Sequence, residues 1–275
     1  MSVLFLSTNL SLGEMPMQNL ETSMGSPPIT DPPQMSEAAT LANIFFEPGR
    51  TFEDLRRKPR FVLAAGIIAL LISGYLIGLA AKVGDDGMRR FIAEQMEKSP
   101  QASRLSTEQK SRSIDMQMTI GKYSRYATPV IVFVTFLIGG LIYWLAAKAF
   151  GGNGSFAHNL SVWIYSGLPP AIVSGIANFI VMAFKPGDEI DLALAQRSLI
   201  NANPSFFIDG KEMPVLATVL STFDLFLIWG WILAAIGLRV TNRLSATSAW
   251  VIVILIVLIG LFFRVLMAFL TGNPF

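Results

Sequence analysis

Residues 61–81, FVLAAGIIALLISGYLIGLAA, form an apolar run without a single charged side chain. A helix needs about 20 such residues to cross the hydrocarbon core of a bilayer. Four further runs of the same character follow, at residues 128–147, 160–184, 215–238 and 249–270. The five runs predict an all-α integral membrane protein, a helical bundle with five transmembrane helices.

The composition supports this prediction. The 275 residues are 52% hydrophobic and only 15% charged, with a mean hydropathy of +0.53, whereas soluble domains carry about 25% charged residues. The net charge of +2 is too small to indicate nucleic-acid binding. The chain has no cysteine, which excludes disulfides, thiolate metal sites and thiol nucleophiles.

Two polar segments precede the first span. Residues 1–40 are rich in proline and serine and contain no Lys or Arg, a composition that predicts a disordered tail before a membrane domain at 41–275. Met15 and Met17 are candidate translation starts. Residues 41–60 predict a short helical element at the membrane interface, in which Thr51 and Asp54 resemble a capping box.

The polar loop after the first span predicts two short amphipathic helices within residues 86–120. Apolar side chains recur there at helical spacing, and Ser106 with Gln109 fits a helix cap. Such helices lie on the membrane surface or bind a partner. The alternative is that they are solvated connectors between two spans.

The distribution of basic residues predicts the orientation. The segment before the first span carries Arg50, Arg56, Arg57, Lys58 and Arg60, and two later loops carry Lys148, Arg239 and Arg243 without acids. With five spans, these regions share one side of the membrane, and loops enriched in Lys and Arg face the cytoplasm. We therefore expect a cytoplasmic N-terminus and an extracytoplasmic C-terminus.

Two local features interrupt the apolar pattern. Pro169 and Pro170 lie inside the third run and predict a kink or a break of the helix there, because proline removes backbone donors from the helix. The glycines Gly151, Gly152 and Gly154 predict a tight turn between the second and third spans rather than a phosphate loop, since no strand precedes them and no Lys follows.

Two ionisable residues lie within predicted spans, Asp224 in the fourth and Arg264 in the fifth. An unpaired charge at the centre of a bilayer costs about 2.5–3.5 kcal/mol on insertion scales. Counting residues places both side chains in the outer half of the bilayer, and we predict that they form an intramembrane pair. The alternative is that Arg264 reaches the interface while Asp224 is protonated or caps a helix irregularity.

The sequence offers no constellation for catalysis. His158 is the only histidine, which excludes the paired histidines of a metalloprotease motif, and it is interpreted as a membrane-surface residue. Asp224 is the only acid clearly inside a span, and no serine has the context of a nucleophile. We therefore expect no enzyme, with no catalytic, cofactor-binding or metal-binding residues.

Three blocks of the sequence resemble the Yip-domain family in its bacterial branch. They are FEPGRTFEDLRRKPRF at 46–61, LIYWLAAKAFGGNGSFAHNLSVWIYSGLPPAI at 141–172 and FDLFLIWGWILAAIGLRVTNRLSATSAWVIVILIVLIG at 223–260. The resemblance covers about residues 41–270 and implies five helices with a cytoplasmic N-terminus. Eukaryotic members are implicated in vesicle traffic and Rab binding, but their cytoplasmic acidic motifs are not evident in this chain.

These observations favour a non-enzymatic, multi-pass protein of the cell membrane that acts as a scaffold, adaptor or membrane organiser. The amphipathic segments at 41–58 and 86–120 support this hypothesis. The alternative is a small-solute or ion transporter that uses the broken third helix, Asn178, Asp224 and Arg264 as a polar path. The expected partners are the lipid bilayer and other membrane proteins or further copies of the chain, and not nucleic acid.

Overall fold

The computed structural model describes residues 34–97, 104–210 and 212–274. The described chain contains nine α-helices: α1 Glu37–Asn43, α2 Pro48–Arg57, α3 Val62–Glu97, α4 Thr107–Ala149, α5 Phe156–Phe184, α6 Leu192–Ala195, α7 Pro214–Ser221, α8 Leu225–Asn242 and α9 Ala246–Thr271. Two short 3-10 helices, Gly187–Glu189 and Pro204–Phe207, lie in the loop between α5 and α7. No strand occurs in these described ranges.

Five of these helices are long and apolar enough to cross a membrane, namely α3, α4, α5, α8 and α9. The predicted all-α bundle of five spans is confirmed. In α5, the central helix, one face packs against α3 and α4 and another against α8. The packing is close because Gly140 of α4 meets Leu160 of α5, where an added Cβ would lie 2.9 Å from the Leu160 Cα.

The first and second spans extend well beyond the bilayer. Helix α4 has 43 residues, a length of about 64 Å at 1.5 Å per residue, against a hydrocarbon core of about 30 Å. Helix α3 continues past its apolar run to Glu97. The helical segments predicted within 86–120 are present: the first follows the span in α3 after a non-helical residue, Gly84, and the second is continuous with the span in α4. Gly84, with φ +73°, turns the backbone between the apolar and polar parts of α3, a conformation that favours glycine.

The cap predicted at the start of the second loop helix is also formed. The Ser106 side chain accepts from the backbone of Gln109, and the Gln109 side chain accepts in return from the Ser106 N–H. This reciprocal capping box begins α4 itself, 43 residues before its end at Ala149.

The short helical element predicted in the N-terminal flank is present as α1 and α2, and its apolar side chains pack into the core of the bundle. Ile44, Phe52 and Leu55 are fully buried, and a Cβ added at Gly237 of α8 would lie 2.9 Å from the Phe52 ring. The folded region also begins before residue 41, since α1 starts at Glu37. The disordered tail was predicted for residues 1–40, of which 1–33 lie outside the described chain.

The local start of α2 also differs from the prediction. This helix begins at Pro48, and Thr51 lies inside it, where its hydroxyl donates to the Glu47 carbonyl at 3.1 Å. Proline suits the first helical position, because its missing N–H would have no partner there. Asp54 is therefore free of a capping role and forms a buried ion pair with Arg60, whose side chain is 12% exposed.

Candidate functional site

The fourth apolar run is divided into two helices. Helix α7 ends at Ser221 and α8 begins at Leu225, so the single span predicted over 215–238 is wrong in its first part. Asp224 caps α8, and its carboxylate accepts from the backbone N–H of Phe226 at 2.9 Å and of Leu227 at 3.4 Å. This capping satisfies two of the donors that every helix N-terminus leaves free.

The preceding loop folds onto this break. The Asn203 side-chain amide donates to Asp224 Oδ2 at 3.1 Å, and the Leu225 N–H donates to the Ala202 carbonyl at 3.1 Å. Two separate stretches of chain, residues 202–203 and 224–225, are thereby joined at one point. These two hydrogen bonds give the break between α7 and α8 a defined structure.

Arg264 of α9 reaches the same break. Its guanidinium donates to Ser221 Oγ at 2.7 Å and to Thr222 Oγ1 at 3.2 Å. The direct Asp224–Arg264 pair predicted from the sequence is not among these contacts. The second interpretation, in which Asp224 caps a helix irregularity, describes what the structure shows, and Arg264 binds the other end of that irregularity.

Helix lengths place this polar cluster at the edge of the bilayer. Helix α8 has 18 residues, or about 27 Å, and therefore needs nearly its whole length to cross the hydrocarbon core. Asp224 directly precedes it. Arg264 lies 18 residues beyond Ala246, the first residue of α9. The fourth run includes α7, so counting from the start of that run sets Asp224 deeper in the bilayer than counting from the start of α8.

The break predicted at Pro169 and Pro170 is not present. Helix α5 continues through both prolines from Phe156 to Phe184. Proline has a φ that fits a helix, and membrane helices tolerate it where neighbouring groups satisfy the backbone.

Asn178, the other polar residue of the suggested transport path, holds the loop that follows α5. Its side-chain oxygen accepts from the Leu199 N–H at 2.6 Å and from the Ser198 hydroxyl at 3.1 Å. Its amide group donates to the Ser174 carbonyl at 2.8 Å. All of these bonds are structural, and the donors and acceptors of Asn178 are engaged within the protein.

The opposite end of the bundle contains the predicted tight turn. Gly151 has φ +81°, and its N–H donates to the Lys148 carbonyl at 3.1 Å, while the Gly152 N–H donates to the Ala147 carbonyl at 2.8 Å. This is the Schellman pattern that ends a helix with a left-handed glycine. Gly154 fits against Asn242, where a Cβ would clash with the amide oxygen.

His158 connects the start of α5 to the end of α2. Its Nδ1 lies 2.6 Å from Ser155 Oγ in a capping box, and its Nε2 lies 2.9 Å from the Arg56 carbonyl oxygen. Since a carbonyl only accepts, the Nε2 atom carries the proton and Nδ1 is the acceptor. The ring thus satisfies one of the free carbonyls at the C-terminus of α2. The imidazole therefore links the two helices.

A buried amide pair lies beside this link and was not predicted. Asn159 donates to Asn242 Oδ1 at 3.0 Å, and Asn242 donates to Asn159 Oδ1 at 2.9 Å. Both side chains are essentially inaccessible. The pair joins the N-terminus of α5 to the C-terminus of α8, across 83 residues of sequence.

The described chain offers no geometry for metal-dependent chemistry. In residues 34–97, 104–210 and 212–274, no group of three His, Asp or Glu side chains is placed to hold a metal ion. The polar clusters described above join helices to each other and to loops.

Comparisons with known proteins give a family match and a curated relative for this chain. A family model described as Yip1 domain matches residues 42–267. A curated relative, "Membrane protein YknW" of Bacillus subtilis (strain 168), is 29% identical over 226 residues, which cover 80% of this chain and 86% of the relative. No solved structure gives a significant match.

Proposed function

Because this chain belongs to the Yip1 domain family of membrane proteins, we propose that it is a non-enzymatic, multi-pass membrane protein that recruits or organises other membrane proteins. Family membership supports the fold and the membrane location. It does not by itself assign an activity, because one fold serves many functions.

An exposed apolar stripe on α4 carries the proposal. Met116, Ile120 and Tyr123 recur at helical spacing and are 58–70% exposed. Their stripe continues into Val130 and Val134, which are also exposed and which lipid would cover. The first three residues lie among charged positions beyond the apolar run, where water would otherwise meet them. A continuous apolar surface of this kind marks a protein interaction site.

The N-terminal flank, residues 41–58, supports recruitment less than its sequence suggested. The apolar face of the N-terminal flank is covered by the bundle itself, through Phe52 and Leu55. The recruitment surface is therefore assigned to the extension of α4 and not to residues 41–58. A partner that follows the stripe would be another membrane protein, since the stripe crosses the boundary of the bilayer.

One observation favours the alternative function, a small-solute or ion transporter. The break between α7 and α8 resembles the discontinuous helices that form transport sites. Against this alternative, Asp224 and Arg264 bind within the break, and the length of α8 places that break at the membrane edge rather than at its midplane. The recruitment proposal is therefore the better supported one.

A photocrosslinking amino acid placed at Ile120 tests recruitment in native membranes. We expect one protein to crosslink in near-stoichiometric amounts, and the same protein to be lost when Met116 and Tyr123 are both replaced by glutamate, with the crosslinker kept at position 120. Lys122→Ser, an exposed change on another face of α4, should keep the crosslink. A crosslinker at Ile138, on the lipid-facing surface, controls for random contacts within the membrane.

Recovery of only lipid and of the protein itself would contradict recruitment of another protein. In that case, a transport assay on Asp224→Ala would be the next step. Recruitment thus predicts a crosslinked partner protein, whereas transport predicts crosslinks only to lipid and to the protein itself.

The proposed orientation has a direct test, since the chain contains no cysteine. Single cysteines at Glu47 and Glu108 replace side chains that are 54% and 75% exposed. With a cytoplasmic N-terminus, a membrane-impermeant maleimide should label Glu108→Cys in intact cells, but label Glu47→Cys only after permeabilisation. The reverse pattern would show that the N-terminus lies outside.

A further inference from the structure

A groove of about 380 Å³ lies between α3, α4 and α6. The turn at Gly84 redirects α3, so that Met88 and Ile92 line the groove together with Leu76 and Leu79 from below the turn. On the α4 side, Met118 completes the apolar wall. Pockets of about 300–1,000 Å³ accept small molecules or parts of larger ones.

One charged residue lines this apolar groove. Among the described residues that form it, Arg125 carries the only charge, and the other polar members are uncharged side chains such as Gln117 and Gln196. Arg125 is half-buried, and it forms no hydrogen bond or ion pair with another residue of the described chain. A guanidinium in this position is ready to bind an anion, because it presents several donors in a fixed plane.

The groove lies at the boundary of the bilayer. Helix α4 carries no charge from Tyr126 to Ala147, a stretch of about 33 Å that fills the hydrocarbon core, and Arg125 directly precedes it. On α3, Leu76 and Leu79 belong to the apolar run, while Met88 lies beyond the Gly84 turn. The groove therefore has one end at the depth of acyl chains and the other at the depth of lipid headgroups.

We propose that this groove binds an anionic phospholipid from the leaflet on the side of the first loop. An acyl chain lies against Leu76, Leu79 and Met118, and the phosphate accepts hydrogen bonds from Arg125. The apolar wall and the single cation match the two parts of such a lipid, and the bilayer supplies it at high concentration. This inference does not depend on the recruitment surface, since Met116 and Ile120 lie on another side of α4 and do not line the groove.

A fluorescent label on a cysteine introduced at Gln117, on the rim of the groove, tests this proposal in nanodiscs. The quencher is a nitroxide near the head end of the acyl chain of either phosphatidylglycerol or phosphatidylcholine. We expect phosphatidylglycerol to quench at about tenfold lower lipid fraction, because both phosphates can accept from Arg125 but only phosphatidylcholine adds a choline cation that the guanidinium repels. The same label at Ile138→Cys, on the exposed apolar face of α4, should show no preference.

Substitutions of Arg125 identify the group responsible. Arg125→Gln should abolish the preference at position 117, and Arg125→Lys should keep most of it. Equal quenching by the two lipids at position 117, or a preference that survives Arg125→Gln, would overturn the proposal.

Discussion

Replacing Asp54 by alanine is expected to lower the free energy of unfolding by about 3–5 kcal/mol, the cost of leaving one member of a buried ion pair without its partner. Asp54 is 4% exposed, and its carboxylate forms an ion pair with Arg60. The Arg60 guanidinium also donates to the Met35 carbonyl and to Thr40 Oγ1, each at 2.8 Å. These bonds hold the start of the N-terminal flank, so the flank should detach first.

Thermal unfolding in detergent, followed by circular dichroism, measures the loss of stability. Trypsin cleavage after Arg56 and Arg57 reports detachment of the flank. Glu47→Ala is the matched control, since its ion pair with Arg50 is 54% exposed on both sides and should contribute at most about 1 kcal/mol. If Asp54→Ala unfolds at the same temperature as Glu47→Ala, the buried pair does not hold the flank.

The double variant Asp54→Met with Arg60→Leu separates charge from packing. Removing both charges leaves no unpaired ion in the core, and such replacements are often neutral or stabilising. We therefore expect the double variant to be more stable than Asp54→Ala. A higher stability of the double variant would show that Asp54→Ala destabilises the protein by leaving the Arg60 guanidinium without its ion-pair partner.

The five spans could be predicted from the sequence because a bilayer imposes a strong and local signal. Each crossing needs about 20 apolar residues in succession, and residues 61–81 display this within one window. The family resemblance used equally local motifs, and the match of the Yip1 domain model over 42–267 confirms it. These predictions require no knowledge of which helix lies beside which.

The break before α8 could not be predicted in the same way. Residues 222–224 interrupt an apolar run too briefly to change its average hydropathy. The break depends on Asn203 and Arg264, which lie 21 and 40 residues from Asp224. Counting residues therefore placed Asp224 inside a span, where a direct charge pair is the natural hypothesis.

The N-terminal flank shows a second limit of pattern reasoning. An amphipathic helix has the same sequence pattern whether it lies on a membrane or packs into a bundle. Which of the two occurs depends on the surface that the helix meets. Gly237 of α8 leaves space for the Phe52 ring, and nothing within residues 41–60 reports the presence of that space.

The amide pair of Asn159 and Asn242 provides the second large effect. Replacing Asn159 by alanine should lower the free energy of unfolding by about 1–3 kcal/mol, because the Asn242 amide then stays buried without its partner. The Asn242 side chain also fills the space beside Gly152 and Gly154, so the glycine turn should loosen as well. Thermal unfolding in detergent measures the change, as it does for Asp54.

Ser161→Ala is the matched control for this substitution. Ser161 is fully buried on the same helix, but its hydroxyl donates only to the Ala157 carbonyl one turn earlier. Its loss leaves no partner on another helix unsatisfied, and the effect should be clearly smaller than that of Asn159→Ala.

A double-mutant cycle tests whether the two amides act on each other. Asn159→Ala with Asn242→Ala removes both partners together, so the combined loss should be smaller than the sum of the single losses by about 0.5–3 kcal/mol, the usual coupling between residues in contact. Additive losses would mean that each asparagine stabilises its own helix end separately. In that case the connection between α5 and α8 would depend on apolar contacts such as Val162 against Gly237, and the glycine turn would not respond to Asn159.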